Sequence, residues 1–241
     1  MSNEPIPGWD QYTGWGFIKA DQSLASDGNI NHVIQGNKTY LLAIPIWPKE
    51  DTQLNPWKWQ ASAFPQNVLP PAPQGGQRLI AQLKPGTTDQ YYIQDQYDAN
   101  GYPKIGLVRP YTAFWVKYKD VPGNVTITAN GAKAGIKDDH WLEFKLSKGY
   151  NLIANPFLDT AITFDNDHIK FRKGDEGDYR SLTNARKWYP FSGQWISKTW
   201  YWDADTAAWV GVTPNAGHQM QPYMGYCIYS CRSDLYMLVK R

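Results

Sequence analysis

Tyr40-Leu-Leu-Ala-Ile-Pro45-Ile-Trp47 is answered further along the chain by Tyr150-Asn-Leu-Ile-Ala-Asn-Pro156-Phe157. Arg109-Pro110-Tyr111-Thr-Ala-Phe114-Trp115-Val116 is answered in the same order by Gln221-Pro222-Tyr223-Met-Gly-Tyr226-Cys227-Ile228. A third echo sets the turn Tyr97-Asp98-Ala99-Asn100-Gly101-Tyr102 against Trp202-Asp203-Ala204-Asp205-Thr206-Ala207-Ala208-Trp209. All three keep offsets of about 105 to 112 residues, which chance matches would not do, so the chain reads as a duplicated unit of roughly 110 residues. That is the size of one β-sandwich domain.

Around the echoes, short runs of β-branched and aromatic residues are punctuated by Gly, Pro, Asn and Asp, and helical periodicity is almost absent. Strands are expected at Thr39 to Ile46, Gln77 to Leu83, Asp89 to Gln96, Thr112 to Lys119 and Asn124 to Ala129. In the second half they are expected at Trp141 to Leu146, Tyr150 to Ala154, Trp195 to Trp202, Ala208 to Val212, Gly225 to Tyr229 and Leu235 to Val239. Pro45 and Pro156 end their strands because proline has no N–H to give a ladder, and the Asn155 side chain can bridge the turn that follows. The expected fold is all-β: two tandem antiparallel β-sandwich domains, jelly-roll or immunoglobulin-like, related by internal duplication. Residues 1–30 read as an N-terminal arm, 31–130 as the first sandwich, 131–139 as a linker of small and polar residues, and 140–241 as the second sandwich. Two stretches at corresponding places, Phe64 to Gly76 and Asp165 to Arg186, read as inserted loops, where variable function usually sits.

Core material is abundant: 12 Trp, 16 Tyr and 8 Phe can each bury a large ring, so neither half requires a metal or a disulfide to fold. A net charge of +2, with basic residues scattered, gives no footprint for a phosphate backbone and argues against nucleic acid as a partner. Cys227 and Cys231 lie four residues apart in a stretch that reads as strand, too far apart for a bridge unless Ser230 makes a sharp turn, so free thiols are expected. No run is long and apolar enough to span a membrane. The N-terminal residues have neither a positive n-region nor an apolar h-region, so no secretion signal is expected there.

Lys148-Gly149-Tyr150-Asn151-Leu152-Ile153-Ala154-Asn155-Pro156-Phe157 resembles the GWNLIGNPY element of β-sandwich modules found in bacterial surface and secreted proteins. In that family an aromatic-Asp hairpin and a PGQGFFVK-like strand follow. Trp202-Asp203 with Gln221-Pro222-Tyr223, and Tyr97-Asp98 with Pro110 to Lys117, look like those elements. The resemblance implies a sandwich fold and a non-catalytic role, and supplies no active-site residues.

The residues give little chemistry of their own. Carboxylate pairs such as Asp203 with Asp205, or Asp175, Glu176 and Asp178, sit at turns and glycine-flanked stretches, where solvated side chains are the simpler reading than a glycosidase pair. His32, His140, His168 and His218 are dispersed. Asp165-Asn166-Asp167-His168 is the best local set of metal donors and is equally a turn. No nucleophile elbow or phosphate-cradling loop occurs, and no cofactor is expected. Aromatic platforms are the stronger option, because exposed rings stack on sugars or fill protein interfaces. The candidates are Trp47, Trp57 and Trp59 in a polar, proline-flanked context, and Trp188, Tyr189 and Phe191 around Pro190.

The expected function is therefore non-enzymatic. The first reading is a structural subunit of a virion, such as a capsid, decoration or fibre protein, assembled with other protein subunits in the host cytoplasm. The alternative is a carbohydrate-binding or adhesion module of a bacterial surface protein, with glycans as partners.

Overall fold

The structure is a computed structural model, and it describes residues 9–10, 14–15, 27–48, 65–84, 87–99, 103–106, 108–134, 141–174, 178–188 and 193–241. In the first half β3 (Asp27–Gln35), β9 (Asn124–Lys133) and β5 (Ile46–Pro48) form one sheet. A second sheet holds β4 (Thr39–Ala43), β8 (Ala113–Lys119), β6 (Gln77–Leu83) and β7 (Tyr91–Ile93), in that spatial order. In the second half β10 (Leu142–Leu146), β19 (Leu235–Val239), β13 (Ile169–Lys173) and β14 (Asp178–Ser181) make the third sheet. The fourth is β11 (Gly149–Ala154), β18 (Gly225–Ser230), β15 (Ile196–Asp203) and β16 (Ala208–Val212). Minor elements are the pairs β1 (Trp9–Asp10) with β2 (Gly14–Trp15) and β12 (Ile162–Thr163) with β17 (Gln219–Met220), and the short helices α1 (Pro65–Val68) and α2 (Leu182–Arg186). The side chain of Ser181 caps α2 by accepting from the Asn184 N–H, and Leu182 and Ala185 bury its inner face.

The described residues are nearly all β, but the four small sheets stand as the blades of a four-bladed β-propeller, not as two sandwich domains of jelly-roll or immunoglobulin-like type. A free-standing sandwich packs one face of each sheet and wets the other, which demands alternation along the strands. Two of the strands break that alternation. In β4 the burial runs through Leu41, Leu42 and Ala43 together, and in β18 it covers Gly225 to Ile228 without a break. At β4 and β18 these two sheets are therefore covered on both sides. One face of the β4–β8–β6–β7 sheet meets β3 and β9 through Ile34, Ile80, Val116 and Ile127. Its other face carries Trp115, whose ring packs edge-on against Trp202 and Trp209 of the fourth sheet at 5.1 and 5.5 Å. The fourth sheet in turn packs on the third through Ile153, Phe171, Ile228 and Met237. The ring of sheets closes where Trp47 enters the core of the second half and Leu158 that of the first. Lys133 joins this seam by its ion pair to Asp159 at 3.3 Å.

The strands of each blade are not all consecutive in sequence, and the two halves thread their sheets alike except that β14 adds a fourth strand to the third sheet. Order β3–β9–β5 corresponds to β10–β19–β13, and β4–β8–β6–β7 to β11–β18–β15–β16. The halves also grip each other reciprocally. The Ala43 N–H donates to the Tyr223 carbonyl at 2.9 Å, and the Ala154 N–H to the Tyr111 carbonyl at 3.0 Å. Leu42 bridges Met224, and Ile153 bridges Thr112. Tyr223 stacks on His32 at 4.3 Å, and Tyr111 on Phe144 at 4.8 Å. In every case the second contact is the first with each residue replaced by its counterpart in the other half, 111 or 112 positions away. That is the signature of an isologous interface, in which patch i meets j and j meets i, built here inside one chain. Ala113 and Gly225, equivalent residues 112 apart, touch each other at its centre: a Cβ placed on Gly225 would lie 2.6 Å from that of Ala113.

The same correspondence exposes a flaw in one blade. Ile80 pairs with Val116 and Thr199 with Ile228, so Thr199 occupies the second-half position of Ile80. Both are fully buried, yet the Thr199 hydroxyl has no hydrogen-bond partner. Thr199→Val, which replaces that hydroxyl with a methyl of the same shape, is expected to raise the urea unfolding free energy by about 1 kcal/mol. A loss of stability would show that the hydroxyl is satisfied. Among the described residues, no helix is long and apolar enough to cross a membrane.

Candidate functional site

A two-fold interface creates two equivalent crevices, one on each side of its centre, and here they differ. Strand pairing aligns Trp200 with Ala81, Trp202 with Leu83 and Trp209 with Tyr91, because Ala81 and Trp200 face the equivalent residues Trp115 and Cys227. On one side the three large rings of Trp115, Trp202 and Trp209 pack mutually edge to face, with centroids 5.1 to 5.6 Å apart, and fill the crevice. The Trp202 indole N–H donates to the Thr39 carbonyl at 2.8 Å, and Lys38 pairs with Asp205 at 2.6 Å on the rim. On the other side the equivalents are Cys227, Leu83 and Tyr91, all smaller. Of these three, Leu83 borders a partly open cleft of about 150 Å³, lined also by Tyr111, Phe144, Tyr150, Leu152 and Gln82 among others, while Cys227 and Tyr91 stand outside its lining.

The cleft walls are held from behind. Tyr111 and Phe144 are stacked nearly parallel. Tyr150, where the filled side has Thr39, is braced by Tyr229 at 5.0 Å and Trp200 at 6.2 Å. Asn151 fixes the turn below by accepting from the Ser147 N–H at 2.9 Å and donating to the carbonyls of Ser147 and Gly149. The Gln82 side-chain oxygen accepts from the Gly106 N–H at 2.7 Å. Sequence reading missed these residues because Leu83 and Tyr91 look ordinary until strand register sets them beside two tryptophans. The aromatic hairpin echo had aligned Tyr97 with Trp202, whereas Tyr97 in fact bridges Pro103.

The aromatic candidates fall in different places. Trp47 is 6% exposed and packed in the core between the halves. Trp188, just after α2, is 75% exposed. Trp57, Trp59, Tyr189 and Phe191 lie outside the described residues, as does most of the expected linker beyond Ala134. Both cysteines are free, and burial pushes the Cys227 thiol up to about 12.

The Asp165–His168 and Asp203–Asp205 sets are turns, Asp178 begins β14, and Asp175, Glu176 and His140 lie outside the described residues. Asp165 accepts from the backbone N–H groups of Asp167 and His168, both at 3.0 Å, and meets the His168 ring at 2.7 Å. Burial works to raise the Asp165 carboxyl, but these His168 hydrogen bonds outweigh it and hold it below the usual carboxylate range. Asp203 is held low by the Asp205 N–H and then by Thr206, while Asp205 is engaged by Lys38. Among the described residues no three metal-donor side chains converge.

His32 and His218 are half-buried and each stacks on a tyrosine ring, His32 on Tyr223 and His218 on Tyr201 at 5.1 Å. Burial lowers both imidazoles below the usual histidine value of 6.5. A lowered folded value means that the unfolded chain binds the proton first, so stability is full above pH 6.5 and declines as pH falls through the folded values. His32→Phe, which copies Phe144, is expected to flatten the decline in urea midpoint between about pH 6.5 and 5, leaving the part due to His218. An unchanged slope would place His32 in a solvated site.

Comparison with protein-family models, with curated proteins and with solved structures finds no match to this chain.

Proposed function

We propose that the chain is a non-enzymatic assembly protein, a subunit that works by docking against other protein subunits, as in a virion capsid, decoration or fibre assembled in a host cytoplasm. One observation carries this reading. Leu79 and Ile93 are 42% and 49% exposed on the same sheet face as Ala81 and Trp115, at the outer edge of a blade. Tyr91, also exposed, continues the row along β7. Scattered surface apolar groups are ordinary, but a contiguous row on a rigid face suits a protein contact. The β7 edge is only three residues long, so side-chain docking is favoured over strand addition.

Sedimentation velocity across a concentration series tests this. Wild type is expected to self-associate, and Leu79→Lys with Ile93→Lys to weaken association at least tenfold, about 1.4 kcal/mol. A wild type that stays monomeric at high concentration with no assembly partner, or a double variant that associates unchanged, would contradict the proposal. The second reading, a glycan-binding module of a bacterial surface protein, is favoured by the exposed Trp188 ring, since such a face can stack on sugar. Polysaccharide retention lost in Trp188→Ala would support it, and no retention by wild type would remove it.

A further inference from the structure

We propose that the open cleft beside the interface centre is a binding site for a planar aromatic ring of indole size that carries an N–H donor. The filled crevice shows what such a space accepts. There the Trp202 indole lies against Trp115 and Trp209 and donates to the Thr39 carbonyl. In the open cleft the Trp202 position is Leu83, and the counterpart of the Thr39 carbonyl is that of Tyr150, because Thr39 pairs with Lys117 as Tyr150 pairs with the equivalent Tyr229. At the position that borders the cleft the missing bulk is the difference between an isobutyl group and an indole, and the missing polar contact is an N–H aimed at that carbonyl.

Size and lining agree with this occupant. A cavity of about 150 Å³ is enough for a single aromatic ring, and partial openness leaves room for a fused second ring at the mouth. Tyr111, Phe144 and Tyr150 offer aromatic walls, with Leu83 and Leu152 as aliphatic ones. The walls are fixed by stacking and by the Asn151 hydrogen bonds, so little ordering cost falls on binding. The site is independent of the exposed Leu79 and Ile93 row.

The test uses 5-fluoroindole as probe, followed by fluorine NMR on the intact chain. Wild type is expected to show one saturable site with a dissociation constant of about 1 mM or tighter, with magnetisation transfer from the ring to the Leu83 and Leu152 methyl groups. Leu83→Trp places the indole covalently and is expected to weaken binding at least tenfold. Trp202→Leu opens the twin crevice and is expected to raise the stoichiometry to two. N-methylindole, which has no donor, is expected to bind more weakly than indole. No saturable binding by wild type at 5 mM probe (roughly five times the expected constant), or transfer only to other residues, would overturn the proposal, as would a folded Leu83→Trp that binds unchanged. Should Leu83→Trp fail to fold, the methyl contacts in wild type and the stoichiometry of Trp202→Leu decide. The ring's source is read from Trp188→Ala. Tighter binding of free probe in that variant identifies the exposed Trp188 of a second copy as the natural competitor, and unchanged binding excludes Trp188 as the ring's source.

Discussion

Asn155→Ala is expected to lower the unfolding free energy by about 3 kcal/mol, with an unchanged urea m-value. Asn155 is fully buried and spends its whole amide on the backbone. Its nitrogen donates to the carbonyls of Thr160 at 2.7 Å and Met220 at 2.8 Å, and its oxygen accepts from the Phe157 N–H at 3.0 Å. Truncation leaves three backbone groups without a partner where little water reaches, each costing on the order of 1 kcal/mol or more. The effect reaches the interface, because Met220 leads directly into the 221–224 turn whose Tyr223 carbonyl receives the Ala43 N–H. Asn155→Asp should be no better at neutral pH, since a carboxylate would face two carbonyls. It should recover in part as acid restores a donor. A loss of under about 1 kcal/mol for Asn155→Ala would mean that water replaces the amide.

Gly225→Ala is expected to cost about 1 to 3 kcal/mol, the usual range for overpacking a closed core. An added Cβ would sit 2.4 Å from Leu41 Cγ and 2.6 Å from Ala113 Cβ, distances that force backbone or side chains apart. Because Ala113 is the equivalent residue across the centre, Ala113→Gly should restore part of the loss in Gly225→Ala. The recovery is partial because the Leu41 contact remains. Chemical denaturation of both single variants and the double variant gives the coupling energy. Strict additivity would contradict a direct contact between the two positions, and a neutral Gly225→Ala would show that the halves are not in close contact there.

Much of the strand content was legible. Gln77 to Leu83, Ala208 to Val212 and Leu235 to Val239 match the expected strands at both ends, because each is an apolar run bounded by turn residues. Asp27–Gln35 reads in part as an arm, since Asp, Gly and Asn dominate its first residues and its large apolar core residues are Ile30 and Ile34. The supposed loop from Asp165 to Arg186 contains β13, β14 and α2. Ile169 and Phe171 carry its inward face, and the intervening Lys170 and Arg172 disguised it. Arg172 is no loose charge: it reaches back to Glu143 of β10, with Nε to carboxylate 2.9 Å.

The blade arrangement was not legible, because hydrophobicity shows that a strand is covered without showing by which sheet. Leu41, Ala113 and Trp115 would serve equally well as one inner face of a sandwich or as the second covered face of a central blade. The cleft was hidden for a related reason. It is defined by what Leu83 lacks relative to Trp202, and that comparison exists only once pairing has aligned residues 119 positions apart, not the 105 to 112 of the motif echoes.

Native-state hydrogen exchange at two amides, Ala43 and Ala154, tests the reciprocal interface most directly. They lie 111 residues apart, both are fully buried, and each donates across the interface to the tyrosine carbonyl of the other half. The expected result is strong and closely similar protection, lost together when Gly225→Ala loosens the contact. Exchange of either amide near its intrinsic rate, or protection of one that survives while the other is lost, would contradict a two-fold embrace of the halves.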